Sequence, residues 1–190
     1  MSKADRERWD ERYEDEKWKA MMKQPYPLVQ ATVRPVEQGL ALDVACGLGQ
    51  NTLWLARQGY HAIGIDVSRV ALEHAQATAR QAGLDDRVLF AQADLDRYRP
   101  PAGMFDLIIV IRYLNRDLFP ALIDALKPGG LLIYATLNWL RAETHPEAPR
   151  EYLLNPGELS TAFAALEILH DEQIGDHSEL VARKPFAPCE

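Results

Sequence analysis

The chain has 190 residues, 47% of them hydrophobic and 26% charged, with a net charge of −7, the composition of an ordinary soluble globular protein long enough for one sizeable core. Residues 1–24 hold seven basic and seven acidic side chains, so the other 166 carry the whole acidic excess, 14 bases against 21 acids. No basic stripe appears among them, which argues against a nucleic-acid backbone as substrate.

Residues 4–23 are dense in charge, with Trp9, Tyr13 and Ala20 at helical spacing and Trp18, Met21 and Met22 on a neighbouring stripe; this predicts an amphipathic helix. Pro25 and Pro27 break it, and a second helix is expected from Leu28 to about Arg34. From Leu40 strands and helices alternate. Strand 40–44 leads to helix 50–58, strand 61–65 to helix 69–82 with Ser68 as N-cap and Gly83 at its end, and strand 87–92 to a polar connection. Strand 105–111 feeds a helix from about Asp117 to Leu126, Lys127-Pro128-Gly129-Gly130 forms a turn, and strand 131–136 follows. A short helix near 156–163 precedes two apolar runs, 166–172 and 178–184, which read as a hairpin joined by Gly175-Asp176-His177. The alternation predicts an α/β fold with a mostly parallel sheet and helices on both faces.

The chemistry concentrates where strand 40–44 ends. Asp43 is followed by the small-residue loop Ala45-Cys46-Gly47-Leu48-Gly49, and nineteen residues past Gly47 a second strand ends in Asp66. A loop of small residues lets backbone approach a ligand, and a carboxylate on the next strand accepts both hydroxyls of a ribose. Gly47 and Gly49 are present but Thr52 stands where a dinucleotide loop has its third glycine, and no Gly-Lys-Ser/Thr follows. Asp43 would repel a pyrophosphate and welcome a cation. A phosphate-free nucleoside carrying an ammonium and a sulfonium, S-adenosylmethionine, fits best. Cys46 reads as a small loop residue. Cys46 and Cys189 are too far apart for a metal-binding pair, so no metal is expected.

Five segments in order resemble the class I S-adenosylmethionine-dependent methyltransferase family: Leu42–Gly49, with Ala45 at the usual first glycine; Ile65-Asp66-Val67-Ser68; Ala91-Gln92-Ala93-Asp94-Leu95; Phe105–Val110; and Leu126–Ile133. The resemblance implies a Rossmann-like, doubly wound sheet of seven strands, mostly parallel with a reversed last strand, as one domain: a helical lid (1–38), a cofactor core (39–136), and a substrate loop with closing hairpin (137–190). It implies cofactor contacts from Asp43, Ala45, Gly47, Gly49, Asp66, Val67, Asp94, Leu95 and Ile111, with Trp9 and Tyr13 folding over the cofactor or packing in the core. S-adenosylhomocysteine is the implied product.

Candidate acceptor-side residues are Arg112 and Tyr113, after strand 105–111, and His145, in the loop 138–150. Arg112 suits an anionic substrate or a scaffold ion pair; Tyr113 either donates a hydroxyl or packs; His145 is a base or a solvated side chain. No base-plus-orienter pair stands out, which favours a soft or already anionic acceptor. Trp9-Asp10-Glu11-Arg12-Tyr13 and Leu153–Leu159 resemble tellurite-resistance and thiol methyltransferase-like proteins, pointing to a small molecule such as a thiol or chalcogen oxyanion. A carboxylate or amine acceptor is the alternative, as is a non-catalytic cofactor-binding regulator. Without a membrane-length apolar run or a secretion signal, a cytoplasmic monomer or homodimer is expected.

Overall fold

The structure, a computed structural model, describes residues 3–21 and 24–186. Seven strands, β1 (Gly39–Val44), β2 (Tyr60–Asp66), β3 (Val88–Gln92), β4 (Phe105–Ile111), β5 (Leu126–Leu137), β6 (Glu167–Ile174) and β7 (His177–Arg183), form a sheet in the order β3-β2-β1-β4-β5-β7-β6. This is the expected Rossmann-like sheet. Strands β1, β2 and β3 pair in parallel, as do β4 and β5, while β7 runs antiparallel to both β5 and β6. The chain divides into two compact units after Tyr98.

The first unit opens with helices α1 (Lys3–Glu14), α2 (Glu16–Met21) and α3 (Pro27–Thr32). The single helix expected over 4–23 is therefore broken. Asp15 turns its carboxylate onto the amides of Lys17 (2.7 Å) and Trp18 (3.3 Å), capping α2 where α1 stops; Met22 and Lys23 lie outside the described residues. Helices α4 (Gln50–Arg57) and α5 (Arg69–Gln81) follow β1 and β2. Ser68 caps α5 through the Ala71 amide, and Ala71, Leu72, Ala75 and Ala79 form its buried stripe. That stripe has the helical spacing an amphipathic element needs.

In the second unit, the helix expected from 117 to 126 is a 3-10 turn (Arg116–Leu118) followed by α6 (Phe119–Ala125). Asn115 starts the turn by accepting from the Asp117 amide, and a proline in the first turn of α6 fixes its entry. The expected Lys127–Gly130 turn is looped out within β5. Phe105 pairs with Leu126 but Leu107 pairs with Leu131, so four residues of β5 face one of β4. Lys184 Nζ then gathers the carbonyls of Ile123 (2.9 Å), Asp124 (3.2 Å) and Leu126 (2.8 Å) at the end of α6. Beyond β5 come α7 (Arg141–Thr144) and α8 (Glu158–Ala162). Phe119, Tyr134 and Phe163 pack ring against ring, with centroids 5.0–5.8 Å apart, at the centre of this unit's core.

Candidate cofactor site

Asp43 sits at the end of β1 with 1% of its surface exposed. Thr52, on the first turns of α4, donates its hydroxyl to Asp43 Oδ2 at 2.6 Å. Burial nevertheless pushes this carboxyl up to about 7, because the Thr52 hydroxyl and amide offset only part of the lost hydration. The residue that replaces a third glycine thus anchors the strand-end acid. Between them the loop turns through left-handed backbone at Ala45 (φ 58°), Gly47 (φ 54°) and Gly49 (φ 75°). Alanine at the first of these carries a strain of roughly 1–2 kcal/mol. Space is as restricted as conformation: a Cβ on Gly47 would stand 2.7 Å from the Tyr13 hydroxyl, and one on Gly49 2.9 Å from Ala75 and Phe90.

Asp66 ends β2 and is 4% exposed. Its Oδ2 accepts the Gly47 amide at 2.8 Å and its Oδ1 the Ser68 amide at 2.9 Å. Burial raises this carboxyl too, and the amides draw it back. The nineteen-residue spacing visible in the sequence is therefore a direct bond between loop and acid. Val67 is buried, its carbonyl taking the Gln92 amide group at 2.8 Å, and the Ala93 amide bonds the Asp66 carbonyl at 2.9 Å. Asp94 is half-buried and takes the Asp96 amide at 3.1 Å, while Leu95 is buried at 1% exposure.

Tyr13 reaches this cluster from α1. It is 9% exposed and stacks on Trp9 at 5.9 Å, and burial, reinforced by the charge of Asp66, raises its phenol well above its ordinary range. Cys46 is a buried thiol also pushed up by burial; its Sγ fills the space over Gly64, a packing role. Cys189 lies outside the described residues. One polar atom beside the loop is left over: Gln50 Oε1, at the first residue of α4, is buried and accepts no hydrogen bond. A buried carboxylate for a diol, a cradle too tight for a Cβ and an orphaned acceptor are what a nucleoside with cationic substituents requires. The residues fit S-adenosylmethionine.

The remaining candidates belong to the second unit. Arg112, just past Ile111 at the carboxyl end of β4, is exposed and left-handed (φ 59°), as only Ala45 is among the other described non-glycine residues. Its amide is fixed to the Ala135 carbonyl at 2.7 Å. The buried Tyr134 hydroxyl donates to the Tyr113 carbonyl at 2.9 Å, and Asn115 donates to the Tyr113 hydroxyl at 3.4 Å. His145, half-buried, shares a hydrogen bond with the Thr144 hydroxyl at 2.9 Å. Arg141 donates to Asp176 Oδ2 at 2.9 Å, and Asp176 Oδ1 bonds His177 Nδ1 at 2.8 Å. The Arg141 hydrogen bond holds the Asp176 carboxyl below its ordinary range. The sequence did not reveal this carboxylate–imidazole contact.

A family model described as a methyltransferase domain matches residues 41–130. The ubiquinone biosynthesis O-methyltransferase of Brucella ovis is 31% identical over 163 residues, which cover 75% of this chain and 64% of that protein. The putative methyltransferase YqeM of Bacillus subtilis is 30% identical over 122 residues, 59% of this chain and 48% of its own. The solved S-adenosylmethionine-dependent methyltransferase of Mesorhizobium loti has the same fold, with a TM-score of 0.69 and 21% identity over 83% of this chain and 96% of that one. Residues 41–130 thus match a methyltransferase domain, on the fold of a class I S-adenosylmethionine-dependent methyltransferase. The chain spans less than two thirds of the length of these two curated relatives.

The segment Leu153–Leu159 is held in place by Arg116 and Glu158. Arg116 donates to both oxygens of Glu158 (2.5 and 3.0 Å) and to the carbonyls of Glu151 (2.6 Å) and Leu153 (2.9 Å), while Glu158 Oε2 also takes the Asn155 amide at 2.8 Å. The segment Leu153–Leu159 is thus stapled to the turn after β4. Glu158→Ala is expected to speed tryptic cleavage at the exposed Arg150 roughly three- to tenfold, the effect of about 1 kcal/mol at a part-exposed ion pair. An unchanged digestion rate would mean that the backbone contacts alone hold the loop. Among the described residues no helix is long and apolar enough to cross a bilayer.

Proposed function

We propose that this chain methylates a small-molecule acceptor with S-adenosylmethionine. The observation that carries the reading is Asp66, buried at a strand end and bonded to the Gly47 amide of the small-residue loop. When bound, the cofactor supplies an electrophilic methyl whose bond to sulfur breaks, the electron pair passing to sulfur as the acceptor's lone pair forms the new bond. Asp66 accepts the ribose hydroxyls, Gln50 Oε1 accepts a hydrogen bond from the cofactor, and Asp43 sets a negative potential for its cationic part. Asp94 and Leu95 lie at the adenine edge. Because charge is quenched rather than created, alignment and exclusion of water supply much of the rate; well-oriented reactants gain roughly 7–11 kcal/mol in that way.

Two acceptor classes follow from two observations. The resemblance of Leu153–Leu159 to thiol and tellurite-resistance methyltransferases favours a thiol or a chalcogen oxyanion such as tellurite, which needs no strong base. The Arg141–Asp176–His177 series favours a protic acceptor, an oxygen or nitrogen group whose proton His177 takes through Nε2 while Asp176 fixes the ring. His177 pairs with Leu137, so it sits at the carboxyl end of β5, the end of a parallel strand at which α/β enzymes hold ligands.

Calorimetry with S-adenosylmethionine, S-adenosylhomocysteine and, as control, NADH tests the cofactor; binding of the first two alone is expected. Release of S-adenosylhomocysteine is then followed with thiols, tellurite, phenols, carboxylates and amines. Turnover of thiols or tellurite that survives His177→Ala supports the soft acceptor, and turnover of a phenol or amine lost in that variant supports the protic one. Cofactor binding without turnover of any acceptor would favour a regulatory binding protein.

A further inference from the structure

The sheet ends on its most exposed strand. β6 is last in the strand order and pairs with β7 on one side, and with no other strand among the described residues. Seven of its eight residues are exposed and His170 is half-buried, whereas Leu180, Val181 and Ala182 of β7 are buried. Edge strands are ordinarily guarded by lysine, proline or a covering element, because their outer amides and carbonyls can template another strand. β6 holds neither lysine nor proline. Its register shifts between Ile168 and His170, and from there the pairing runs regularly to Ile174 opposite His177. Ile168, Leu169 and Ile174 are 36%, 43% and 50% exposed.

The charge of this edge selects its occupant. Residues 164–182 contain Glu167, Asp171, Glu172, Asp176 and Glu179 and no lysine or arginine. Arg183 and Arg141 meet Glu167 and Asp176 at the two ends of β6, at 3.6 and 2.9 Å, so the middle is where an added cation counts most. There Asp171 stands on one face of the strand and Glu172 on the other. Glu172 pairs directly with Glu179 of β7, and like charges set opposite each other across strands cost stability. His170 Nε2 lies 3.7 Å from Glu172 and 3.9 Å from Glu179, buried and without a hydrogen-bond partner. We infer that β6 is the docking edge for an extended basic segment of a partner protein, which joins the sheet as an eighth strand and sets lysine or arginine side chains beside Asp171 and Glu172. Main-chain hydrogen bonds supply the attachment in such strand addition, and the side chains at alternate positions choose the segment. A second copy of this chain is the wrong occupant, because its β6 would bring Glu167, Asp171 and Glu172 against the same three acids.

The probe is a fluorescein-labelled octapeptide of valine and threonine with two adjacent lysines at its centre, added to the full chain; its control carries glutamates in their place. Anisotropy is expected to show binding of the lysine peptide alone. Hydrogen exchange should slow about threefold or more at amides within 167–174, and not at β3, the other edge of the sheet. The double substitution Asp171→Lys and Glu172→Lys should abolish both effects and leave the affinity for S-adenosylhomocysteine unchanged. Both side chains are exposed, so these changes leave the fold intact. Equal binding of the two peptides, exchange within 167–174 that is not slowed, or binding that survives the charge reversal would overturn the inference. A chain that dimerises in sedimentation with its own β6 amides protected would overturn it in favour of a second copy.

Discussion

Asp66→Ala is expected to weaken S-adenosylmethionine and S-adenosylhomocysteine alike by about 1.5–3 kcal/mol, the worth of hydrogen bonds to a charged group, or roughly 10- to 150-fold in Kd. The loss has two sources. The diol loses its acceptor, and the amides of Gly47 and Ser68, now bonded at 2.8 and 2.9 Å, lose theirs. The second source also loosens the loop, so a conservative comparison is needed. Asp66→Asn keeps one accepting oxygen and removes the charge; it should fall between wild type and Asp66→Ala in affinity while melting closer to wild type. Calorimetry of the three proteins at one pH decides the matter. Affinities that agree within error would mean that the ribose is held by another group.

The parts of this site that the sequence made legible are those set by local order. Asp43 and Asp66 stand out because each ends an apolar strand, and strand ends are marked by the change from alternating or continuous apolar residues to small polar ones. Gly47 and Gly49 stand out because left-handed turns favour glycine. The bonds that complete the site depend on how elements settle against one another, and no spacing announces them. Thr52 reaches Asp43 only because α4 begins at Gln50 and turns its third residue back over β1. Ser68 is visible as an N-cap, but its second partner, Asp10, lies 58 residues earlier. At the other end of the chain, Asp176-His177 reads as the polar joint of a hairpin, and only the docking of Arg141 reveals an oriented imidazole. The break at Asp15 follows the same logic: in a charge-dense stretch the helical period continues past it, while its carboxylate bonds the amides two and three residues on. Local capping won over periodicity.

Asp43 carries the largest expected energetic consequence. Its carboxyl is raised from 3.8 to about 7 by complete burial; at 1.36 kcal/mol per pKa unit, keeping it ionised in the folded protein costs about 4 kcal/mol. The direction follows from linkage. A carboxyl whose folded pKa lies above its unfolded one gives a contribution fully present below 3.8 and lost as pH rises through about 7. Asp66 is shifted the same way. The ligand-free protein should therefore lose stability between pH 5 and 8, and Asp43→Asn should flatten most of that slope, leaving the part due to Asp66. Denaturant midpoints for both proteins at pH 5, 6, 7 and 8 measure it, and equal slopes would mean that Asp43 is already ionised at pH 5. The same acid links binding to protons. A cationic ligand beside it favours the ionised form, so S-adenosylmethionine should bind with release of part of a proton at pH 6.5 and more tightly at pH 8 than at pH 6. Calorimetry in two buffers of different ionisation enthalpy counts that proton, and the count should fall in Asp43→Asn. A buried acid costly to keep charged in the empty site then becomes the group that favours a cation there, which accounts for why this position, against its burial, is not a neutral residue.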